Sequence, residues 1–245
     1  MKNKTMLVLG NGWLGNLIAK YFDCPIYAGV INDDMRSQRL IMEYLPKVVI
    51  NAIGKSGETR VNWCDNHKNE TYFSNVHVPY LLAQSCKKYG IKLVHLSTCY
   101  IDYDKSFYTL TKAMAEEILK EYDDVLITRI NLPLDKTSHP RNLIDKLLTY
   151  EKVTGAKSSI TVIDDYLFTL KQLIEKDEKG IFNCVNPGVI SPWEIIDLYE
   201  KVSCKNLNKI FVEDNKKFEI IPDVDMPEVS SSVLKQLQLY LKKII

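Results

Sequence analysis

Short apolar runs alternate with longer amphipathic segments through the first half of the chain. Runs rich in β-branched and aliphatic residues predict strands at residues 5–9, 26–30, 48–50, 93–96 and 126–130. Between them, apolar residues at three- and four-residue spacing predict helices at residues 13–22, 37–45, 76–89 and 112–122. Strands that alternate with helices in this way predict an α/β fold with a doubly wound parallel sheet.

The pattern loosens after about residue 131, where prolines interrupt shorter segments. Helices are predicted at residues 143–150, 164–175 and 193–202, and short strands at residues 160–162 and 181–184. We therefore expect residues 1–131 to form the sheet domain. Residues 132–245 should form mainly a smaller C-terminal lobe, with part of the chain returning to the first domain.

Charge and composition exclude several classes of function. Lys and Arg total 32 against 31 for Asp and Glu, so no overall field attracts nucleic acid or an anionic membrane. The six cysteines and four histidines have neither disulfide nor metal-ligand spacing. Residues 1–5 lack the pattern of a secretory leader, and the chain has no apolar stretch of about 18 residues. We expect a cytoplasmic protein that needs no metal.

A glycine-rich turn follows the first predicted strand and opens the first predicted helix. Its residues are Gly10, Asn11, Gly12, Trp13, Leu14 and Gly15. In this G-x-G-x-x-G pattern the first glycine permits a tight turn, the second admits a pyrophosphate to the backbone, and the third lets helix and strand pack closely. The position of the motif favours a dinucleotide site of the Rossmann type over a glycine-rich loop that binds nothing.

The choice between NADPH and NADH depends on the end of the second predicted strand. No acidic residue lies at positions 27–30, where a carboxylate would hold the ribose 2′-hydroxyl of NADH. We therefore expect NADPH, with NADH as the alternative. Arg36 or Arg39 is a candidate for the 2′-phosphate and Asp33 for the adenine, although each is also typical of the surface at a helix start.

A phenol and an ammonium group stand four residues apart in the second half of the predicted sheet domain. Tyr108 and Lys112 share one face if a helix starts here. A nearby cation favours the phenolate, which suits a tyrosine that acts as a proton donor in carbonyl reduction. Ser97 and Thr98 end the preceding strand, where a hydroxyl can bind the same carbonyl oxygen.

Together these features resemble the extended short-chain dehydrogenase/reductases. The resemblance also includes Asn51, Ala52, Ile53 and Gly54 after the third strand and Asn75 in the next helix. More narrowly, residues 61–64, 140–146, 150–153 and 186–189 resemble the nucleotide-rhamnose synthase epimerase/reductases of plants and large DNA viruses. The bacterial dTDP-4-dehydrorhamnose reductases are similar at a greater distance.

The resemblance implies a substrate, a reaction and a set of site residues. The substrate is a UDP-4-keto-6-deoxyhexose, epimerised at C3, or at C3 and C5, and reduced at C4 by NADPH to a UDP-L-rhamnose-type sugar, which is N-acetylated in one variant. Cys99 and Lys146 are the implied acid/base pair, and Asn51, Ala52, Ile53, Gly54 and Asn75 contact the cofactor. The C-terminal lobe binds the sugar nucleotide, and the substrate residues are Ser97, Thr98, Tyr100, Asn131, Arg141 and Asn142.

A homodimer is also implied, formed by the helices predicted at residues 76–89 and 112–122. Two departures from the family pattern affect the site. Cys99 directly follows Thr98, so that Tyr100 occupies the usual cysteine position, and the link from Thr98 to Tyr108 is short.

Other interpretations of these residues remain open. Cys99 is otherwise a buried small hydrophobic residue, Lys146 a solvated lysine, and Arg141 part of a surface salt bridge. At the level of the whole chain the alternatives are a plain 4-ketoreductase and a regulatory subunit that binds a dinucleotide without turnover.

Overall fold

The computed structural model describes residues 5–57 and 62–244. Residues 1–4, and Val61 of the segment 61–64, lie outside the described residues. The chain divides into two compact units, Met1–Arg129 with Asp177–Ile181, and Ile130–Lys176 with Phe182–Ile245.

The first unit alternates strands and helices as the hydrophobic pattern predicts. Its elements are β1 (Met6–Leu9), α1 (Trp13–Phe22), β2 (Ile26–Tyr27), α2 (Asp34–Tyr44), β3 (Val48–Asn51), α3 (Trp63–Asn66), α4 (Lys68–Tyr72), α5 (Val78–Tyr89), β4 (Lys92–Thr98), α6 (Phe107–Leu119) and β5 (Val125–Ile130). A π-helical turn, Phe73–His77, joins α4 to α5, and a 3-10 turn, Cys99–Asp102, follows β4.

The second unit contains shorter elements. They are α7 (Leu143–Thr149), β6 (Lys152–Thr154), β7 (Lys157–Ser158), α8 (Ile163–Glu175), β8 (Gly180–Asn183, which starts in the first unit), α9 (Pro192–Ser203), β9 (Ile210–Val212), β10 (Lys217–Phe218) and α10 (Val229–Ile244). The strand predicted at residues 160–162 is wrong, because Val162 makes only an isolated bridge with Leu134. The pattern also missed α10, whose buried face includes Val233 and Leu237.

The central sheet has six strands in the order β2-β1-β3-β4-β5-β8. β1 pairs in parallel with β2 on one side and with β3 on the other, and β3 pairs in parallel with β4. The predicted α/β class with a parallel sheet is therefore confirmed. The strand order reverses beside β1, and in open α/β sheets ligands bind outside the carboxyl ends of the strands at such a point. The turns after β1 and β3 both lie there.

Each unit has its own apolar core. In the first unit, buried aliphatic side chains from one face of the sheet, such as Leu7, Val49 and Leu93, pack with Leu82 and Leu119 of the covering helices. In the second, the buried faces of α7, α9 and α10 pack together around residues such as Ile144, Ile196 and Leu237. Rigid packing of this kind holds the strand ends in place, and those ends carry the candidate site.

Within the described ranges, no helix combines the length and hydropathy needed to cross a membrane. The same ranges contain no group of three or more His, Cys, Asp or Glu side chains arranged to hold a metal ion. The six cysteines, all of them described, form no disulfide.

Candidate active site

The turn between β1 and α1 shows why each of its glycines is needed. Gly10 has a φ of +100°, and a Cβ atom there would lie 2.8 Å from the Ile53 backbone nitrogen. A Cβ atom on Gly15 would lie 1.9 Å from the Gly10 carbonyl oxygen, so helix and turn touch directly. A Cβ atom on Gly12 would meet nothing within 4 Å. The open space at the N-terminus of α1 therefore fits a pyrophosphate.

An asparagine that sequence reasoning missed fastens this turn. The Asn16 side-chain amide donates to the carbonyl oxygens of Asn11 at 2.6 Å and Gly12 at 2.9 Å. These bonds hold the loop in the shape that presents its backbone N–H groups to a ligand. The signal available in the sequence was an amide side chain directly after the third glycine of the motif.

Asn51 shapes the turn after β3. Its Nδ2 donates to Nδ1 of His95 at 3.1 Å, and its Oδ1 accepts from the Ile53 backbone nitrogen at 3.1 Å. Burial, followed by the positive charge of Lys112, holds the pKa of His95 well below its usual value, so the ring is neutral and Nδ1 can accept. The turn thereby brings Ala52 and Ile53 against Gly10.

Asn75, in the π-helical turn, supports the loop after Gly54. Its Oδ1 accepts from the Lys55 backbone nitrogen at 2.7 Å, and its Nδ2 donates to the Lys55 carbonyl at 2.9 Å and to Thr111 Oγ1 at 3.1 Å. The amide thus joins this loop to α6, and its predicted contact with a cofactor stays a prediction.

Helix α6 carries the predicted tyrosine and lysine. It starts at Phe107, five residues before the predicted start, because Ser106 caps it by accepting from the Thr109 backbone nitrogen. The half-buried Tyr108 lies in the first turn and Lys112 one turn later, on the same face. The helix start that the Tyr108–Lys112 pairing required is therefore present.

The Lys112 ammonium group is buried at the end of β4. Nζ donates to the Leu96 carbonyl at 2.8 Å, and a Cβ atom on Gly54 would lie 3.6 Å from it. The residue is 6% exposed, and burial lowers its pKa to about 8 although Glu116 opposes this shift. The Lys112 ammonium group therefore lies between Gly54, in the turn after β3, and Leu96, on the strand that ends in Thr98.

Ser97 and Thr98 have different surroundings. The Ser97 hydroxyl is buried and donates to Glu116 Oε1 at 2.5 Å, and its predicted contact with the sugar stays a prediction. Thr98 ends β4, and its Oγ1 accepts from the Tyr100 backbone nitrogen at 3.3 Å. Strand alternation places the two hydroxyls on opposite faces of the sheet.

Cys99 and Tyr100 follow in the 3-10 turn. Cys99 is 2% exposed, whereas Tyr100 is half-buried. Burial, and then the charge of Asp104, raises the pKa of Tyr100. In the described protein the thiol lies in the interior and the phenol ring reaches the surface.

The residues predicted to face the adenosine lie at the start of α2, beyond the carboxyl end of β2. Asp33 caps α2 by accepting from the Arg36 backbone nitrogen at 2.7 Å, so its carboxylate already has a structural task. The Arg36 guanidinium donates to the Tyr27 hydroxyl from Nε at 3.1 Å and from Nη2 at 2.5 Å. A cation therefore lies beside the end of β2, where a 2′-phosphate would need one.

Asn142, in the second unit, makes its hydrogen bonds within its own loop and helix. It is fully buried and caps α7. Its Oδ1 accepts from the backbone nitrogens of Asp135 at 3.0 Å and Ile144 at 3.3 Å, and its Nδ2 donates to the carbonyls of Asp135 at 2.9 Å and Thr137 at 3.0 Å. Both ends of the amide therefore have partners within the chain, and the predicted contact of Asn142 with a substrate stays a prediction.

The other predicted residues of the second unit differ in exposure. Asn131 is buried, and its Nδ2 donates to the Ser159 carbonyl at 2.6 Å, while its Oδ1 has no hydrogen-bond partner among the described residues. Arg141 is exposed. Lys146 is half-buried, and burial followed by the charge of Arg141 lowers its pKa.

Sequence comparison identifies relatives of the chain. The family described as the RmlD substrate binding domain matches residues 28–191. A bifunctional dTDP-4-dehydrorhamnose 3,5-epimerase/dTDP-4-dehydrorhamnose reductase of Arabidopsis thaliana is 33% identical over 77% of this chain and 71% of its own length. A trifunctional UDP-glucose 4,6-dehydratase/UDP-4-keto-6-deoxy-D-glucose 3,5-epimerase/UDP-4-keto-L-rhamnose-reductase of the same plant is 34% identical over 77% of the chain. The chain spans 32% of that longer protein.

Solved structures share the fold. The L780 UDP-rhamnose synthase of Acanthamoeba polyphaga mimivirus superimposes with a TM-score of 0.86 at 23% identity, covering 96% of this chain and 98% of that one. A dTDP-4-dehydrorhamnose reductase of Bacillus anthracis in complex with NADP gives a TM-score of 0.82 at 18% identity, covering 99% of both chains. At these identities the likeness concerns the fold.

Proposed function

Because the chain belongs to the family of the RmlD substrate binding domain, we propose that it is an NADPH-dependent reductase of a nucleotide-linked 4-keto-6-deoxy sugar, with epimerase activity beside the ketone. The observation that carries the reductase is the buried Lys112 ammonium group, one helical turn after Tyr108 and bonded to the end of β4. The prediction of an enzyme agrees with the names of the relatives, which include a reductase, and the solved reductase of Bacillus anthracis contains NADP.

Three residues of the first unit, Tyr108, Thr98 and Lys112, have distinct roles in the proposed carbonyl reduction. Tyr108 donates a proton to the C4 carbonyl oxygen, and the Thr98 hydroxyl hydrogen-bonds the same oxygen. Lys112 stabilises the phenolate that is left on Tyr108, since a cation near a phenol favours its ionised form. NADPH held at the glycine turn, residues 10–15, would supply a hydride to the carbonyl carbon.

The cofactor's phosphates need the groups that surround the β1 turn. The open face at Gly12 and the N-terminus of α1 receive the pyrophosphate, and Arg36 provides a cation for the 2′-phosphate that distinguishes NADPH from NADH. Asn16 fixes the turn after β1, and Asn51 fixes the turn after β3.

Epimerisation is the finer part of the proposal. A 4-keto group acidifies the C3–H bond, so one residue can remove that proton while another returns it to the opposite face. We assign these roles to Cys99 and Lys146 on the family resemblance, and the lowered pKa of Lys146 favours its use as a base. We choose a UDP-linked substrate, although the names of the relatives include both UDP and dTDP sugars.

Two further properties belong to the same proposal. A homodimer through α5 and α6 is supported by exposed apolar side chains on those helices, among them Tyr80, Leu110 and Met114. A cytoplasmic location is supported by six cysteines that form no disulfide.

The deciding experiment is incubation with the UDP-4-keto-6-deoxyglucose substrate and NADPH in deuterated water. We expect NADPH consumption and a product that carries solvent deuterium at C3. Cys99→Ser and Lys146→Ala should abolish the deuterium and leave NADPH binding intact. If neither the UDP nor the dTDP substrate supports NADPH consumption, the chain is a dinucleotide-binding subunit without turnover and the proposal is wrong.

One observation favours a plain 4-ketoreductase as the second candidate. Cys99 is buried and immediately follows Thr98, whereas the family pattern places a residue between them. Reduction without deuterium at C3 would establish this alternative.

A further inference from the structure

One buried carboxylate joins α6 and β4, which carry candidate catalytic residues, to the neighbouring strand β5. Glu116, on α6, is 1% exposed, and its Oε1 accepts a hydrogen bond from the Ser97 hydroxyl at 2.5 Å. Arg129, on β5, donates to Glu116 from Nε at 2.9 and 3.1 Å and from Nη2 at 2.5 Å. Glu116 therefore ties α6 both to β4, just before Thr98, and to β5.

The same carboxylate lies one helical turn after Lys112. Residues four apart on a helix are neighbours on its surface, with Cβ atoms about 5–6 Å apart. Lys112 donates to the Leu96 carbonyl and Glu116 accepts from Ser97, so two consecutive residues of β4 are fixed by two consecutive turns of α6. This double attachment sets the distance between Thr98 on the strand and Tyr108 on the helix.

The charged and titratable groups around Lys112 come from three elements. The charged groups are Glu116, on the same helix, and Arg129, on β5, which form an ion pair with each other. The other titratable groups are Tyr108, on the same helix, and His95, on β4, whose ring is neutral. Burial works against the ammonium ion, and Glu116 is the group that opposes burial. Three donors, Ser97 Oγ and Arg129 Nε and Nη2, offset the desolvation of the buried Glu116 carboxylate. The carboxylate can therefore stay negatively charged and stabilise the Lys112 ammonium ion.

We propose that Glu116, held by Ser97 and Arg129, is a positioning residue that keeps the Lys112 side chain charged and fixes α6 against the end of β4. The inference rests on the proposed reductase, in which Lys112 must remain a cation beside Tyr108. It assigns a function to Ser97 as well, as an anchor for the carboxylate.

The test is Glu116→Gln, which keeps the side-chain size and a Ser97 partner but removes the negative charge. Loss of an anion close to an ammonium ion destabilises the protonated form, so the pKa of Lys112 must fall. We expect a decrease of about one unit, measured by NMR titration of protein labelled with ¹³C at lysine Cε. The Lys112 signal is identified as the one absent from Lys112→Met. The high-pH limb of the NADPH-dependent rate should move in the same direction.

Glu117→Gln is the matched control, because Glu117 is the adjacent residue on the same helix, is exposed, and pairs with Lys120. It should leave the Lys112 titration unchanged. Ser97→Ala keeps the ion pair and removes only the bond to β4. It should lower kcat several-fold, through displacement of Thr98, without moving the pH limb.

A Lys112 titration that is the same in Glu116→Gln, Glu117→Gln and the unaltered protein would overturn the inference, even if the reductase activity is confirmed. Should Glu116→Gln fail to fold because Arg129 is left unpaired, the double variant Glu116→Gln/Arg129→Met is compared with Arg129→Met alone. Since only the charge of Glu116 differs between these two variants, the Lys112 titration midpoint must be lower in the double variant. The titration requires no sugar, so absence of turnover in the unaltered protein would count against the proposed function alone.

Discussion

The buried ammonium group of Lys112 should make the proposed reductase activity depend on pH. Its pKa is lowered from 10.5 to about 8, so the cation required beside Tyr108 is lost as the pH rises through about 8. We expect the rate of NADPH oxidation at saturating sugar to decline through this range. Lys112→Met should reduce the rate by about 100-fold or more below pH 8. A rate that stays constant from about pH 7 to pH 9.5 would contradict this role for Lys112.

The same shift has a consequence for stability, with a defined sign. The folded state holds the Lys112 proton less tightly than the unfolded state, so the stability that this group contributes is fully present above pH 10.5 and is lost as the pH falls through about 8. Burying the cation at neutral pH is therefore a cost that the fold bears at its candidate site. Such costs are typical of functional residues.

Two glycines of the β1 turn should respond differently to the addition of one methyl group. Gly12 has a φ of −68° and open space around its Cα, so Gly12→Ala should leave the melting temperature nearly unchanged and weaken NADPH binding by about tenfold or more. Gly15→Ala places a methyl group 1.9 Å from the Gly10 carbonyl oxygen and should destabilise the protein by roughly 1–3 kcal/mol.

Thermal unfolding together with NADPH titration measures both effects. Equal loss of stability in the two variants would show that Gly12 has a structural role in place of a ligand-facing one.

The candidate site also shows what local spacing can and cannot predict at the level of single residues. Gly10, Gly12, Gly15, Tyr108 and Lys112 could be chosen from local spacing, because each acts through its own turn or helix. The partners of Ser97 and Asn142 could not be foreseen from spacing. Ser97 donates to Glu116, which lies on another element. The Asn142 amide bonds to the loop that contains Asp135 and folds back towards it. Hydroxyl and amide groups satisfied by such partners look the same in sequence as groups that await a ligand.

At the scale of elements, local capping decided the bounds that periodicity left uncertain. α6 begins at Phe107 because Ser106 caps it, and α2 begins at Asp34 because Asp33 does the same. Helix α1 matched its prediction at both ends, Trp13–Phe22, because its apolar spacing runs from the glycine turn to the end. The strand predicted at residues 160–162 failed, since three β-prone residues make a strand only where a neighbour pairs with them.

The start of α6 has a second support that is open to test. The Asp65 carboxylate accepts from the Phe107 backbone nitrogen at 2.8 Å, which satisfies one of the unpaired N–H groups of the helix and places a negative charge at its positive end. Asp65→Ala should destabilise the protein by about 1 kcal/mol and lower kcat through greater motion of the turn that carries Tyr108.

Asn66→Ala is the control for this variant, because Asn66 is the adjacent exposed residue of α3. Chemical denaturation and steady-state kinetics are the measurements. If the two variants have the same stability and the same kcat, the Asp65 bond does not order the first turn of α6.

The association of whole molecules depends on what covers the exposed apolar side chains of α5 and α6. Leu110 is 53% exposed, on the helix that also carries Tyr108 and Lys112. If the proposed dimer forms through these helices, Leu110→Lys places a charge in an apolar interface and should produce a monomer in analytical ultracentrifugation. Met42→Lys, at a residue of α2 that is 54% exposed, should remain a dimer.

The dimer is also expected to affect catalysis, because α6, one of the two helices that would form it, carries Tyr108 and Lys112. A monomeric Leu110→Lys should bind NADPH at the β1 turn almost as before, since that turn lies on other elements of the first unit. Its kcat should fall, because α6 would lose the packing that steadies Tyr108. A protein that is monomeric before any substitution, at the concentrations used for kinetics, would refute the proposed interface and leave the chemistry at Lys112 untouched.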